Sequence, residues 1–342
     1  MQAQSLIRSS LVWDNHGCLP LRPFDDAFLP QLELYRSSGV DVAMINIGFG
    51  DQGIEDHVRM LAHFRRWIAA RSDSFVLIET VDDIERARAT GRLAIGFDIE
   101  GANGIADQIS LISLYYDLGV RWMLMAYNRN NLVGGGCHDD DEGLSAFGRE
   151  VLDEMARVGM IACCSHVGYR TVGEVLEYNK NPTIFSHSNP RALHDHPRNV
   201  PDTLLLDCAS TGGVICLNGI GIFLGKNDNS TATYFRHMDH VVQLVGCEHV
   251  GIGLDYVFDL AELGESLVQI EDTFPAELGY DVGADLKCVS PAQIEQLIEL
   301  QIKAGYNEVD IKRILGANLL RVAKAIWKPP STSRLSVSGD AM

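Results

Sequence analysis

Short apolar runs rich in Val, Ile and Leu recur along the chain with amphipathic stretches between them, an alternation that calls for parallel strands joined by helices. Eight runs have the length and content of barrel strands: 11–16, 40–48, 93–99, 121–127, 160–165, 183–187, 213–219 and 249–255. Helical periodicity occupies 103–118, 144–158, 170–180, 202–211 and 231–245, with Thr171 and Glu174 spaced as a capping box in the third of these. Eight strands close a cylinder, so the expected fold is an α/β (β/α)8 TIM barrel with additional C-terminal helices at 291–304 and 307–327. The span 50–92 is longer than one connection requires, and its strand-like run Phe75-Val76-Leu77-Ile78 reads as an excursion between the second and third strands. A doubly wound nucleotide-binding sheet shows the same alternation but needs a glycine-rich turn after its first strand. That turn here is His16-Gly17-Cys18-Leu19-Pro20.

A length of 342 residues fits one such barrel, with 1–328 read as a single domain and 329–342 as a flexible polar tail. Hydrophobic residues at 46% and charged residues at 22% suit a globular enzyme with a large core. Acidic side chains outnumber basic ones by 46 to 28, and no basic cluster offsets the net charge of −18, which argues against nucleic acid as a partner. Eight cysteines lack CxxC spacing, and several sit inside apolar runs as small hydrophobes rather than as a disulfide framework. No secretory signal and no run of ~18 apolar residues is visible, so the expectation is a cytoplasmic protein without membrane attachment.

Barrels of this kind keep their chemistry at the carboxyl ends of the strands. The residues at those ends are His16 with Cys18, Glu100, His166, His187 and Asp255. Any one of them alone would read as a hydrogen-bonded core or rim residue; together, from strands assigned by periodicity, they point to a metal. Glu100 closes a strongly apolar strand and is followed by Gly101, a costly place for a carboxylate without a cation. Its two oxygens can each face one ion, which makes it the natural bridge between two. A metal-bound water ionises near neutral pH, and hydrolysis is the chemistry this favours.

At this point the chain resembles the membrane dipeptidase (renal dipeptidase) family, zinc peptidases among the amidohydrolase-like, metallo-dependent hydrolase barrels. The resemblance runs from about 11 to 325 and is carried by Gly143-Leu144-Ser145-Ala146-Phe147-Gly148, Ser165-His166-Val167, Phe185-Ser186-His187-Ser188, Arg198-Asn199-Val200-Pro201-Asp202, Gly251-Ile252-Gly253-Leu254-Asp255-Tyr256 and Gly316-Ala317-Asn318-Leu319-Leu320-Arg321-Val322. It implies that His16 and the residue at Cys18 bind a first zinc, His166 and His187 a second, and that Glu100 bridges both. It also implies proton transfer by Asp255 and a grip by Arg198 on the substrate's terminal carboxylate, a role the planar guanidinium suits.

Two positions depart from the family pattern. His16-Gly17-Cys18 stands where the family carries His-x-Asp, so either a thiolate replaces a carboxylate ligand, as zinc tolerates at ~2.3 Å, or Cys18 only packs and one zinc is bound instead of two. Tyr127 stands where the family has a histidine that polarises the scissile carbonyl; its phenol can donate to a developing oxyanion or mark a changed substrate. The stretch Gly134-Gly135-Gly136-Cys137-His138-Asp139-Asp140-Asp141 reads as a flexible loop over the barrel mouth, with a further ion at His138 as an alternative. The leading expectation is therefore a dipeptidase acting through a metal-bridging hydroxide, with a small dipeptide as its partner and a homodimer as one compatible assembly. Two alternatives stay open: the same barrel acting on another small amide, N-acyl amino acid or lactone, and a catalytically silent protein that holds a metal or ligand.

Overall fold

The computed structural model describes residues 2–270 and 272–330. Its strands are β1 (Trp13–Cys18), β2 (Val42–Phe49), β3 (Phe75–Leu77), β4 (Leu93–Glu100), β5 (Val120–Leu124), β6 (Ile161–Cys163), β7 (Ile184–Phe185), β8 (Val214–Leu217), β9 (Val250–Ile252) and β10 (Tyr256–Val257). Eight of them, β1, β2 and β4 to β9, run parallel in chain order, and the pairing of Asp14 with Ile252 closes the ring. This is the (β/α)8 barrel. Strands covered on both faces must be apolar on both, and every residue of β4 is buried.

Two packed layers follow. Alternate strand residues such as Ala43, Ile45, Ile95, Phe97 and Ile215 face the surrounding helices, while Trp13, Met44, Ala94, Trp122, Ile161 and Val214 fill the inside. Leu319, Val322, Ala323 and Ile326 of the helix Asn318–Ile326 belong to the interior cluster, and Trp327 lies 5.8 Å from Trp13, so the chain's last helix plugs the bottom of the barrel. Asn318 donates to the carbonyls of Cys247 and Val250. The Gly-Ala-Asn motif is therefore a structural latch, and the mouth at the other end is left for chemistry.

The 50–92 excursion is not outside the sheet. β3 pairs with Leu93–Ile95 of β4, while β5 pairs with Phe97–Ile99 of the same strand, because β4 is longer than β5 and its first residues need backbone partners. Where β3 peels away, the fully buried Arg121 donates to the carbonyls of Ile78 and Glu79. The capping box expected at Thr171 and Glu174 does not form. That helix spans Tyr169–Tyr178, Thr171 donates to Asp141, and Glu174 accepts from the Leu144 amide, so both side chains serve the neighbouring loop instead. Residues 331–342 of the expected tail lie outside the described residues. No helix among the described residues is long and apolar enough to cross a membrane.

Candidate metal centre

The strands end at one rim, and the side chains singled out from sequence meet there. His16 projects from β1 and Glu100 ends β4; His166, His187 and Asp255 follow the ends of β6, β7 and β9. The Nε2 atoms of His16, His166 and His187 stand 3.4, 3.3 and 3.1 Å from a single oxygen, Oε1 of Glu100. Those of His166 and His187 are 3.0 Å apart. On the other side of His16, Asp255 Oδ1 and Cys18 Sγ each lie 3.4 Å from its Nε2 and 3.3 Å from one another. Three of the seven described non-glycine residues with positive φ belong to this cluster: Asn128 at 53°, His166 at 63° and Asp255 at 56°. Strained backbone of this kind persists where a site demands it.

Each ring's far nitrogen decides what its near nitrogen carries. His166 Nδ1–H donates to the amide oxygen of Asn128 at 2.7 Å, and His16 Nδ1–H faces the Asp98 carboxylate at 3.3 Å. His187 Nδ1 meets Ser186 Oγ at 2.8 Å, a hydroxyl that spends its own proton on Ser165. The Nε2 atoms of His166 and His187 therefore present lone pairs to each other and to Glu100. Glu100 Oε1 is buried and accepts no hydrogen bond from any described residue. Lone pairs and a carboxylate facing one another with no donor between them require a cation, and ligating imidazoles held from behind by a carboxylate or amide are its usual cradle.

The charges agree. Burial pushes the Glu100 carboxyl up, but the field of His16 and the close approach of the other two imidazoles outweigh it and hold the group well below the usual carboxylate range. Burial opposes a charge on His16, yet Glu100, Cys18 and Asp98 override it and raise the ring well above an ordinary histidine. His187 is lowered to about 4 by burial and by His16. Without metal, a proton on His16 supplies positive charge beside Glu100, and metal binding displaces it. Two groups of donors have ligand spacing: His16, Cys18 and Asp255, and His16, Glu100 and His187.

Tyr127 lines the cavity above this cluster, its ring stacked on His166 at 4.0 Å between Phe49 and Phe274. Burial raises its phenol, so it keeps its proton and can donate. Arg198 lies one layer back. It is buried, donates to the His187 carbonyl and to Ser188 Oγ, and its Nε has no partner among the described residues. His138 and its acidic neighbours hold the glycine-rich loop: His138 Nε2 meets the Tyr280 hydroxyl at 3.0 Å, Asp139 pairs with Arg129, and Asp141 accepts from Thr171. A Cβ on Gly136 would come within 2.2 Å of the Asn128 carbonyl carbon, so only glycine lets this loop press on the residue that orients His166.

Sequence reading missed four supporting residues: Asp98, Asn128, Ser186 and Asn218. Asp98 had a signal, since it stands two residues before Glu100 on the same face of an apolar strand. Asn218 directly follows β8 and donates to Asp255 Oδ2 at 2.9 Å, which the barrel rule could have found. Asn128 directly follows the expected strand 121–127 and carried the same signal, but its pairing with His166 is set by the fold.

Comparison with known proteins places this geometry. The family profile described as membrane dipeptidase (peptidase family M19) matches residues 28–269. The chain belongs to the membrane dipeptidase family. An uncharacterized dipeptidase of Schizosaccharomyces pombe is 30% identical over 296 residues, covering 83% of this chain and 65% of that protein, so the chain spans less than two thirds of that relative's length. Among solved structures, an amidohydrolase from Pseudomonas aeruginosa superposes with a TM-score of 0.87 at 28% identity, over 96% of this chain and 99% of that one. A metallopeptidase from Rhodobacter sphaeroides, liganded with a phosphinate mimic of L-Ala-D-Ala, shares the fold with a TM-score of 0.75 at 20% identity, over 93% and 100% of the two chains.

The Cys18 thiol donates to Asp255. An aspartate there would set two carboxylates against each other. Asp98, oriented by Asn46 at 3.1 Å, is the group that fixes the His16 tautomer. Asp98→Asn is expected to weaken metal binding by about 10- to 100-fold in a chelator competition. An unchanged affinity would mean that β1 alone sets the ring.

Proposed function

We propose that this chain is a dipeptidase that hydrolyses the peptide bond of small dipeptides, with two zinc ions held between His16, Cys18, Glu100, His166 and His187. The observation that carries this reading is Glu100 Oε1, buried without a hydrogen-bond donor and faced by three imidazole nitrogens at 3.1–3.4 Å. Membership of a dipeptidase family and a likeness to an amidohydrolase over nearly the whole chain support it. A thiol among otherwise nitrogen and oxygen donors suits zinc better than a harder ion.

When bound, the ions acidify water and polarise the scissile carbonyl. The chain's own residues do the rest. Asp255 is held ionised, because His187 and His16 outweigh the burial that pushes its carboxyl up, so it starts as a proton acceptor. Asn218 fixes Oδ2 and leaves Oδ1 facing the cluster, from where the proton can pass to the leaving amine. Tyr127 donates its phenolic proton toward the carbonyl oxygen as negative charge develops there. Arg198 takes the terminal carboxylate through its Nε–H, which has no partner among the described residues. A cytoplasmic location belongs to this reading on the strength of the sequence alone, and a homodimer is one assembly compatible with it.

A second reading has one observation in its favour. Arg198 is already bonded to His187 and Ser188 and is not part of the cavity lining, which suits a substrate without a free carboxylate, such as an N-acyl amide or a lactone. Turnover of dipeptides, N-acyl amino acids and lactones by zinc-loaded protein, each repeated after chelation, separates the two. Chelator-sensitive dipeptide cleavage is the expected result; dipeptides left intact while lactones open would overturn it. Cys18→Ala is expected to lower elemental zinc from two to one per chain, and an unchanged count would remove Cys18 from the ligand set.

A further inference from the structure

Above the metal cluster lies a cavity of about 440 Å³, bounded below by Glu100, His166, Asp255 and Cys18. Its upper wall is an apolar cluster distinct from both layers of the barrel core, built from Ile222, Phe223, Leu267, Phe274, Tyr280 and Leu286. Most of this wall comes from the segment after β9, and barrel loops pin that segment in place. Asn128 donates to the Thr273 carbonyl and Arg129 to that of Asp272, while His138 meets the Tyr280 hydroxyl and His196 the Leu278 carbonyl. Asn128 uses its other end to orient His166, so wall and metal ligand share one support.

Cys18 and Tyr127, at the edge of the metal cluster, pack against the same apolar cluster. No lysine or arginine is among the described residues lining the cavity, whereas Asp51, Asp56, Asp259 and Glu262 are. Arg22 at the rim is consumed by Asp25, Asp259 and Glu262.

We propose that the cavity selects a dipeptide with one bulky apolar side chain of leucine or phenylalanine type and rejects one with a side-chain carboxylate. This rests on the dipeptidase reading. An alkyl or aromatic group entering the cavity leaves water for an apolar wall that is already pinned. A side-chain carboxylate entering it would lose its hydration, find no lysine or arginine among the described lining residues and meet the carboxylates of Asp51 and Asp56. The substrate's ammonium group, by contrast, finds the acidic rim favourable.

Isothermal titration of the zinc-loaded full chain with phosphinate dipeptide mimics reads this choice without relying on turnover. The mimics carry Ala, Leu, Phe or Glu side chains at each of the two residues in turn. At one of the two positions the Leu or Phe mimic is expected to bind at least about tenfold tighter than the Ala mimic, and the Glu mimic weaker than Ala. Leu267→Asp is expected to collapse that ratio. Affinities equal to within about threefold across the series, or a preference for Glu, would overturn the proposal. Dipeptide hydrolysis is followed in parallel. An apolar preference in binding with no dipeptide cleaved leaves the pocket standing and retires the dipeptidase reading, while cleavage without any preference does the reverse.

Discussion

Glu100→Gln is expected to strip the centre of at least one metal ion and to lower kcat/KM by about 10³-fold or more, beyond the 10- to 100-fold typical of an outer hydrogen-bonding partner. The reason is geometric. One oxygen of Glu100 faces nitrogens from β1, from beyond β6 and from beyond β7, so no other carboxylate can take its place between them. An amide of the same shape keeps the packing but supplies half as many acceptor oxygens and no charge. The metal-free variant should melt below the metal-free parent, because the substitution removes the carboxylate paired with His16 and leaves that buried ring without its counter-charge. Elemental analysis, activity and thermal melting on the same preparation check all three statements. A variant that keeps its metal and its rate would remove Glu100 from the centre.

Asp255→Asn should behave differently: kcat falls by about 10²- to 10⁴-fold while metal content and KM stay near their parent values. Asn218 can still bond the retained side-chain oxygen, and the positive φ of 56° is one that asparagine tolerates as well as aspartate. What is lost is the proton acceptor. If metal is lost along with rate, Asp255 acts as a ligand beside His16 and Cys18, a role its 3.4 Å approach to His16 Nε2 permits. Stoichiometry and kcat measured together distinguish the two.

The eight barrel strands were legible from apolar runs because a parallel strand covered on both faces writes its burial directly into the sequence. The capping box at Thr171 was misread for the opposite reason: its side chains had two possible sets of backbone partners, and the nearby loop at 141–144 supplied the ones that won. β3 was recognised as strand-like but not as part of the sheet, since which edge it joins depends on β4 outrunning β5.

From the sequence alone came the barrel and the six residues His16, Cys18, Glu100, His166, His187 and Asp255 that the fold gathers at one rim. Periodicity places residues on a face, and a barrel sends that face to one rim. Tertiary structure alone decided that Asp98, Asn128, Ser186 and Asn218 hold those groups from behind, that Arg198 stands behind His187, and that an apolar wall from beyond β9 closes the cavity. Apart from Ser186 beside His187, those are contacts between segments far apart in the chain, set by side-chain direction and distance, which strand periodicity does not fix.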